Sequence, residues 1–84
     1  MSQILEDILD SYFEVQFIVA EGFNDAVIGV DDYEMRLVYS ADKSISILME
    51  EQKWDYLEAA EYFYTHIVGK YKGNKQPLFI NDNF

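Results

Sequence analysis

Residues 39 to 71, YSADKSISILMEEQKWDYLEAAEYFYTHIVGKY, constrain the fold more than any other stretch, because their apolar spacing is that of two amphipathic helices separated by a short break. Ser40 is an N-cap residue type and Asp42 puts an acid in the first turn, where the helix dipole favours negative charge. Ala41, Ile45, Leu48 and Met49 then share one face, with Lys43, Ser46 and Glu50 opposite. The pattern breaks around Gln52, Lys53 and Trp54, and Asp55 with Glu58 three residues on reads as a capping-box start for a second helix. In that helix Tyr56, Leu57, Ala59, Ala60, Phe63, Tyr64, Ile67, Val68 and Tyr71 cover about half the wheel, the arc of a central packing helix. Trp54 is placed to staple the turn between the two.

Before this pair, Asp25 to Asp31 and Met35 to Tyr39 are β-rich runs joined by Asp32, Tyr33 and Glu34, which predicts a hairpin. Gly29 inside the first run suggests a bulge or a close approach by a helix. Simple alternation puts Ala26, Ile28 and Val30 on the face under the helices and Val27 on the other. A bare hairpin is marginal in water, so sheet and helices must support each other.

Residues 3 to 20 admit two readings. In the preferred one they form a long helix, with Ile4, Leu5, Ile8, Leu9, Tyr12, Val15 and Val19 on one face and Gly22 as the terminating glycine. In the other, the helix stops near Phe13 and residues 15 to 20 form a strand, since Val-Gln-Phe-Ile-Val is rich in β-formers. On the long helix Glu6, Asp7, Asp10, Glu14 and Glu21 line the outer side, a carboxylate stripe about 22 Å long at ~1.5 Å per residue. At the other end of the chain Gly73-Asn74 is a turn pair, Pro77 bars a central strand position, residues 78 to 80 add a short edge strand, and residues 81 to 84 fray. The expectation is one α+β domain over residues 1–84: acidic N-terminal helix, β-hairpin, two packed amphipathic helices and a short C-terminal strand.

A chain of 84 residues buries only about 60% of the surface it exposes unfolded. With 50% apolar and 17% aromatic residues it still has the side chains to build a core, and there is no cysteine to staple it. A cysteine-free chain with an acidic start and no apolar run of the ~20 residues a bilayer span needs reads as a soluble, unprocessed cytoplasmic protein. The net charge of −10 is uneven: residues 1–34 carry −9, residues 35–66 carry −3 and residues 67–84 carry +2. Nucleic acids and anionic membranes are disfavoured as partners, because binding to either draws on lysine and arginine. A basic protein surface is the favoured kind of partner.

Several segments in order resemble a family of small, mostly uncharacterised accessory proteins of tailed bacteriophages: Gly22-Phe23-Asn24-Asp25-Ala26-Val27-Ile28-Gly29, Arg36-Leu37-Val38-Tyr39-Ser40, Ile47-Leu48-Met49, Glu58-Ala59-Ala60-Glu61-Tyr62-Phe63, then Gly69, Gly73 and Pro77-Leu78-Phe79. The resemblance covers about residues 22 to 80 and implies an accessory role in the cytoplasm of a bacterial host. It implies no catalytic residues, and the N-terminal helix lies outside it.

Catalytic chemistry is not evident. His66, the only histidine, has no cysteine, serine or second histidine at helical spacing. Asp31, Asp32 and Glu34 cluster at a turn but lack the regular oxygen spacing of a calcium loop. No enzyme, cofactor or metal is expected. The candidate contacts are the carboxylates Glu6, Asp7, Asp10, Glu14 and Glu21, with Phe17, Ile47 and Tyr62 as apolar anchors that fall off the buried faces. The leading function is a non-enzymatic acidic protein that modulates or inhibits a host protein. The alternatives are a nucleic-acid mimic, which uses the ~5–6 Å spacing of neighbouring carboxylates, and a self-assembling accessory protein or homodimer.

Overall fold

The computed structural model of the chain describes residues 2–71 and 76–81. The elements run α1 (Gln3–Ser11), a 3-10 turn (Asn24–Ala26), β1 (Val27–Asp31), β2 (Arg36–Ser40), α2 (Ala41–Gln52), α3 (Tyr56–Tyr62), a π-helical stretch (Phe63–Val68) and β3 (Leu78–Ile80). The fold is α+β: a β-hairpin followed by packed helices and a short C-terminal strand. The sheet order is β1-β2-β3, with β1 antiparallel and β3 parallel to the central β2. Parallel neighbours need a crossover, and α2, α3 and the π-helical stretch supply it. The Gly73-Asn74 turn and the fraying of residues 82 to 84 lie outside the described residues.

Each helix begins where its capping residue dictates. The Ser40 hydroxyl accepts from the Lys43 N–H at 3.0 Å and the Asp55 carboxylate from the Glu58 N–H at 2.9 Å. The Ser2 hydroxyl does the same for Leu5 at 3.2 Å, a cap the sequence reading did not use. Lys53 ends α2 in the left-handed conformation, at φ 60°.

The long N-terminal helix is not formed. α1 stops at Ser11, and residues 15 to 20 are neither helix nor strand. Val15 and Phe17 are half-buried while Gln16 and Ile18 are exposed, a strand-like alternation in a segment that joins no sheet. The reason lies at its end, where Ala20 is fully buried and its N–H donates to the phenolic oxygen of Tyr39 at 2.9 Å. Extended chain covers about 3.3 Å per residue against ~1.5 Å in a helix, so it can run from the end of α1 to that anchor. Gly22 does take a left-handed φ of 92°, but in the turn that leads to the 3-10 segment rather than at a helix end.

Gly29 does mark a bulge. Val27 pairs with Tyr39, Gly29 with Val38 and Val30 with Leu37, so the register shifts between Val27 and Gly29. Leu37 and Tyr39, two apart on β2, face the core, and the extra residue brings Val27 and Val30 opposite them. Simple alternation had separated those two valines. Beyond the strands, Asp31 closes the hairpin: its carboxylate accepts from the N–H groups of Tyr33 and Glu34 and from Arg36 Nε at 2.9 Å. The Arg36 guanidinium, with those two N–H groups, holds the Asp31 carboxyl below its ordinary 3.8, while desolvation works the other way.

Tyr39 and Phe63 are the largest wholly buried side chains. Phe79 of β3 touches both, its ring centroid 5.2 Å from each, so the crossover and the sheet meet at one aromatic cluster. The wide apolar arc read for the second helix is only partly used. Ala59 and Phe63 are buried, but Leu57 is 77% exposed and Tyr56 and Tyr64 are about half exposed. Those three sit outside the core.

Candidate functional site

The eight residues expected to contact a partner are carried by α1, the segment after it, α2 and α3, and the carboxylate stripe is not kept on one helix. Glu6, Asp7 and Asp10 remain on α1, where Glu6 is half-buried and the Asp7 carboxylate accepts from Gln3 Nε2 at 2.8 Å. Glu14 and Glu21 leave the stripe, because the helix ends before them. What is left runs from Glu6 to Asp10, four residue steps or about 6 Å along the helix axis. Phe17 is not a free anchor either: it is half-buried and packs edge-on to Tyr12, with centroids 6.1 Å apart. Phe13 beside it is 79% exposed.

Ile47 and Tyr62, the other two apolar anchors, each lie in a hollow rimmed by acids. Ile47 is half-buried against the core and lines a hollow of about 530 Å³ with Glu50 and Glu51 from the last turns of α2. The opposite wall is Gly22, Asn24 and Asp25, from the turn before β1. The left-handed Gly22 and the 3-10 turn bend the chain so that Asp25 comes within the same hollow as two acids 25 or more residues further on. Asn24 also carries a buried Oδ1 with no donor among the described residues.

Tyr62 lines the second hollow, of about 300 Å³, together with Trp54, Glu58, Glu61, Thr65 and His66. Asp55 starts α3 and thereby sets its phase, which puts Glu58, Tyr62 and His66 four residues apart on one side. At Phe63 the N–H reaches the carbonyls of both Ala59 and Ala60, and the helix widens into the π-helical stretch. Trp54 does not act simply as a staple on the turn: its ring stands 5.1 Å from that of Tyr62, which in turn stands 4.7 Å from His66. Three flat rings therefore lie in a row beside two carboxylates.

Among the described residues neither hollow is lined by a lysine or an arginine. Among the described residues the ion pair shown is Asp31 with Arg36, on the hairpin and away from both hollows. No group of three or more metal-ligating side chains comes together among the described residues, and no described helix is long and apolar enough to cross a membrane. Besides Ile47 and the Gly22 backbone, the groups that line the hollows are five carboxylates, the Asn24 amide, the Thr65 hydroxyl and the rings of Trp54, Tyr62 and His66. That set is dominated by acceptors and equipped to take up cationic and hydrogen-bond-donating groups.

Part of this was within reach of the sequence. Glu58, Tyr62 and His66 share one helical face by spacing alone. Asp25 with Glu50 and Glu51, and Trp54 with Tyr62, needed the fold: a turn in the first case and the angle of the break between α2 and α3 in the second.

Fold and site together define a small, strongly acidic α+β protein with two acid-rimmed surface hollows. No family model, no curated protein and no solved structure matches the chain.

Proposed function

We propose that this chain is a non-enzymatic binding protein that docks onto the basic surface of another protein and modulates it. The observation that carries the reading is the coincidence of apolar anchor and acid at both hollows: Ile47 with Asp25, Glu50 and Glu51, and Tyr62 with Glu58 and Glu61. Anchors in pockets give affinity, whereas surrounding charge steers the encounter and selects the partner. With a net charge of −10 the whole molecule attracts a basic target, and that attraction weakens with salt. By its resemblance to accessory proteins of tailed bacteriophages, the partner we propose is a bacterial host protein in the cytoplasm, inhibited or redirected by docking. Nucleic-acid mimicry needs a long carboxylate row, and the shortening of α1 removes the support it drew from Glu14 and Glu21.

Affinity capture from bacterial lysate tests this, with the wild type beside an Asp25→Asn, Glu50→Gln, Glu51→Gln variant and a Glu58→Gln, Glu61→Gln variant, each eluted in salt steps. The expected result is a basic protein that the wild type holds, moderate salt releases and at least one variant fails to retain. Equal retention by all three chains would overturn the docking surface.

A further inference from the structure

The hollow at Tyr62 has a more specific chemistry than the one at Ile47. Along it run the rings of Trp54, Tyr62 and His66, with interplanar angles of 53° for the first pair and 40° for the second. Glu58 and Glu61 are exposed beside them, and no ion pair to either is formed among the described residues. An apolar occupant would strip water from two carboxylates with nothing in return, and an anion would be repelled. A simple point charge would answer the acids and be drawn to a ring face, but it can neither lie flat on the rings nor fork onto a carboxylate. A flat cation satisfies both features, stacking on the rings while its N–H groups fork onto a carboxylate.

We infer that this hollow receives an arginine side chain of the partner protein, its guanidinium against the Tyr62 and Trp54 rings and its N–H groups on Glu58 or Glu61. Arginine is distinguished from lysine here by its planar, weakly hydrated head, which stacks and forks where an ammonium does neither. The volume, about 300 Å³, is at the small end for ligand sites and suits a side chain rather than a folded element. The Thr65 hydroxyl on the same wall is a further acceptor. This assignment rests on the reading of the chain as a protein that docks onto a basic partner.

The test is an NMR titration of the isotope-labelled full chain with two capped peptides, acetyl-Gly-Arg-Gly-Arg-Gly-amide and its lysine counterpart. The arginine peptide is expected to shift the Trp54 indole signal and the Tyr62 and His66 amides, and to bind about two- to fivefold more tightly than the lysine peptide. Glu58→Gln with Glu61→Gln should abolish that preference, as should Tyr62→Leu, which keeps an apolar side chain at the position. The double glutamine variant alters only exposed groups, so it decides the matter even if the Tyr62 variant does not fold. Equal binding of the two peptides at this hollow, or a preference that survives both variants, overturns the assignment. Shifts confined to Ile47, Glu50 and Glu51 overturn it while leaving the docking proposal standing, and no shift anywhere with either peptide overturns both.

Discussion

The backbone N–H of Ala20 donates to the phenolic oxygen of Tyr39 at 2.9 Å, and both residues are wholly buried. One hydrogen bond thus fastens the irregular segment after α1 to the central strand, one residue before its end. Tyr39→Phe keeps the ring and leaves that N–H without an acceptor, which costs about 1–3 kcal/mol. In a domain of this size each kcal/mol lowers the melting temperature by about 4–8 °C. Thermal unfolding followed by circular dichroism measures it, and an unchanged Tm would mean that the bond does not hold the segment.

The same phenol makes stability fall at alkaline pH. Burial pushes the Tyr39 hydroxyl above its ordinary 10.0, the charge of Tyr71 adds to this, and the Ala20 N–H opposes it. A group whose ionisation is harder in the folded than in the unfolded chain stabilises the fold fully below the unfolded value and loses that contribution as pH rises past it. Urea unfolding of the wild type should therefore show a decline in stability above about pH 10. In Tyr39→Phe this part of the decline should be absent.

Phe63 joins the crossover to the sheet through its edge-on contact with Phe79. Phe63→Ala opens a cavity at a site with no exposure and is expected to cost about 3–5 kcal/mol. For a domain of ~5–15 kcal/mol total stability that is a large share. Leucine at this position should cost less, and chemical denaturation of the two variants gives the order.

Gly69 follows the π-helical stretch, and a Cβ there would lie 3.0 Å from the Thr65 carbonyl oxygen. Backbone cannot yield as a side-chain tip does, so Gly69→Ala should destabilise the chain despite the better helix propensity of alanine. Gly22→Ala should do so for a different reason, a φ of 92° that costs an L-residue about 1 kcal/mol or more. Thermal melts of the two variants read both effects. A Gly69→Ala protein as stable as the wild type would show that the end of the helix relaxes freely.

The elements read correctly from the sequence are those whose ends are written in local chemistry. Ser40 and Asp55 cap the helices that their positions announce, and Gly29 marks the bulge. What could not be read was decided by contacts between distant residues. Residues 3 to 20 have helical spacing on paper, yet Ala20 is held by a tyrosine 19 positions away, and that contact overrides the local preference. The apolar count of the second helix overstated its buried face: among the described residues α3 packs chiefly on α2, and Leu57 is left uncovered. For the site, Tyr62 and Ile47 were legible as apolar residues off the helix core. Their acids were legible only where they lay on the same helix.

The most direct test of the docking surface is site-specific photocrosslinking in bacterial lysate, with a photoreactive phenylalanine analogue placed in turn at Ile47, Tyr62, Phe13 and Tyr33. The account predicts that the chains carrying it at Ile47 and Tyr62 crosslink to the same basic protein and that added salt suppresses both adducts. Phe13 and Tyr33, the more exposed aromatic positions at 79% and 90%, should give no such product. Crosslinks from Phe13 or Tyr33 alone, or adducts consisting only of a second copy of this chain, would contradict it.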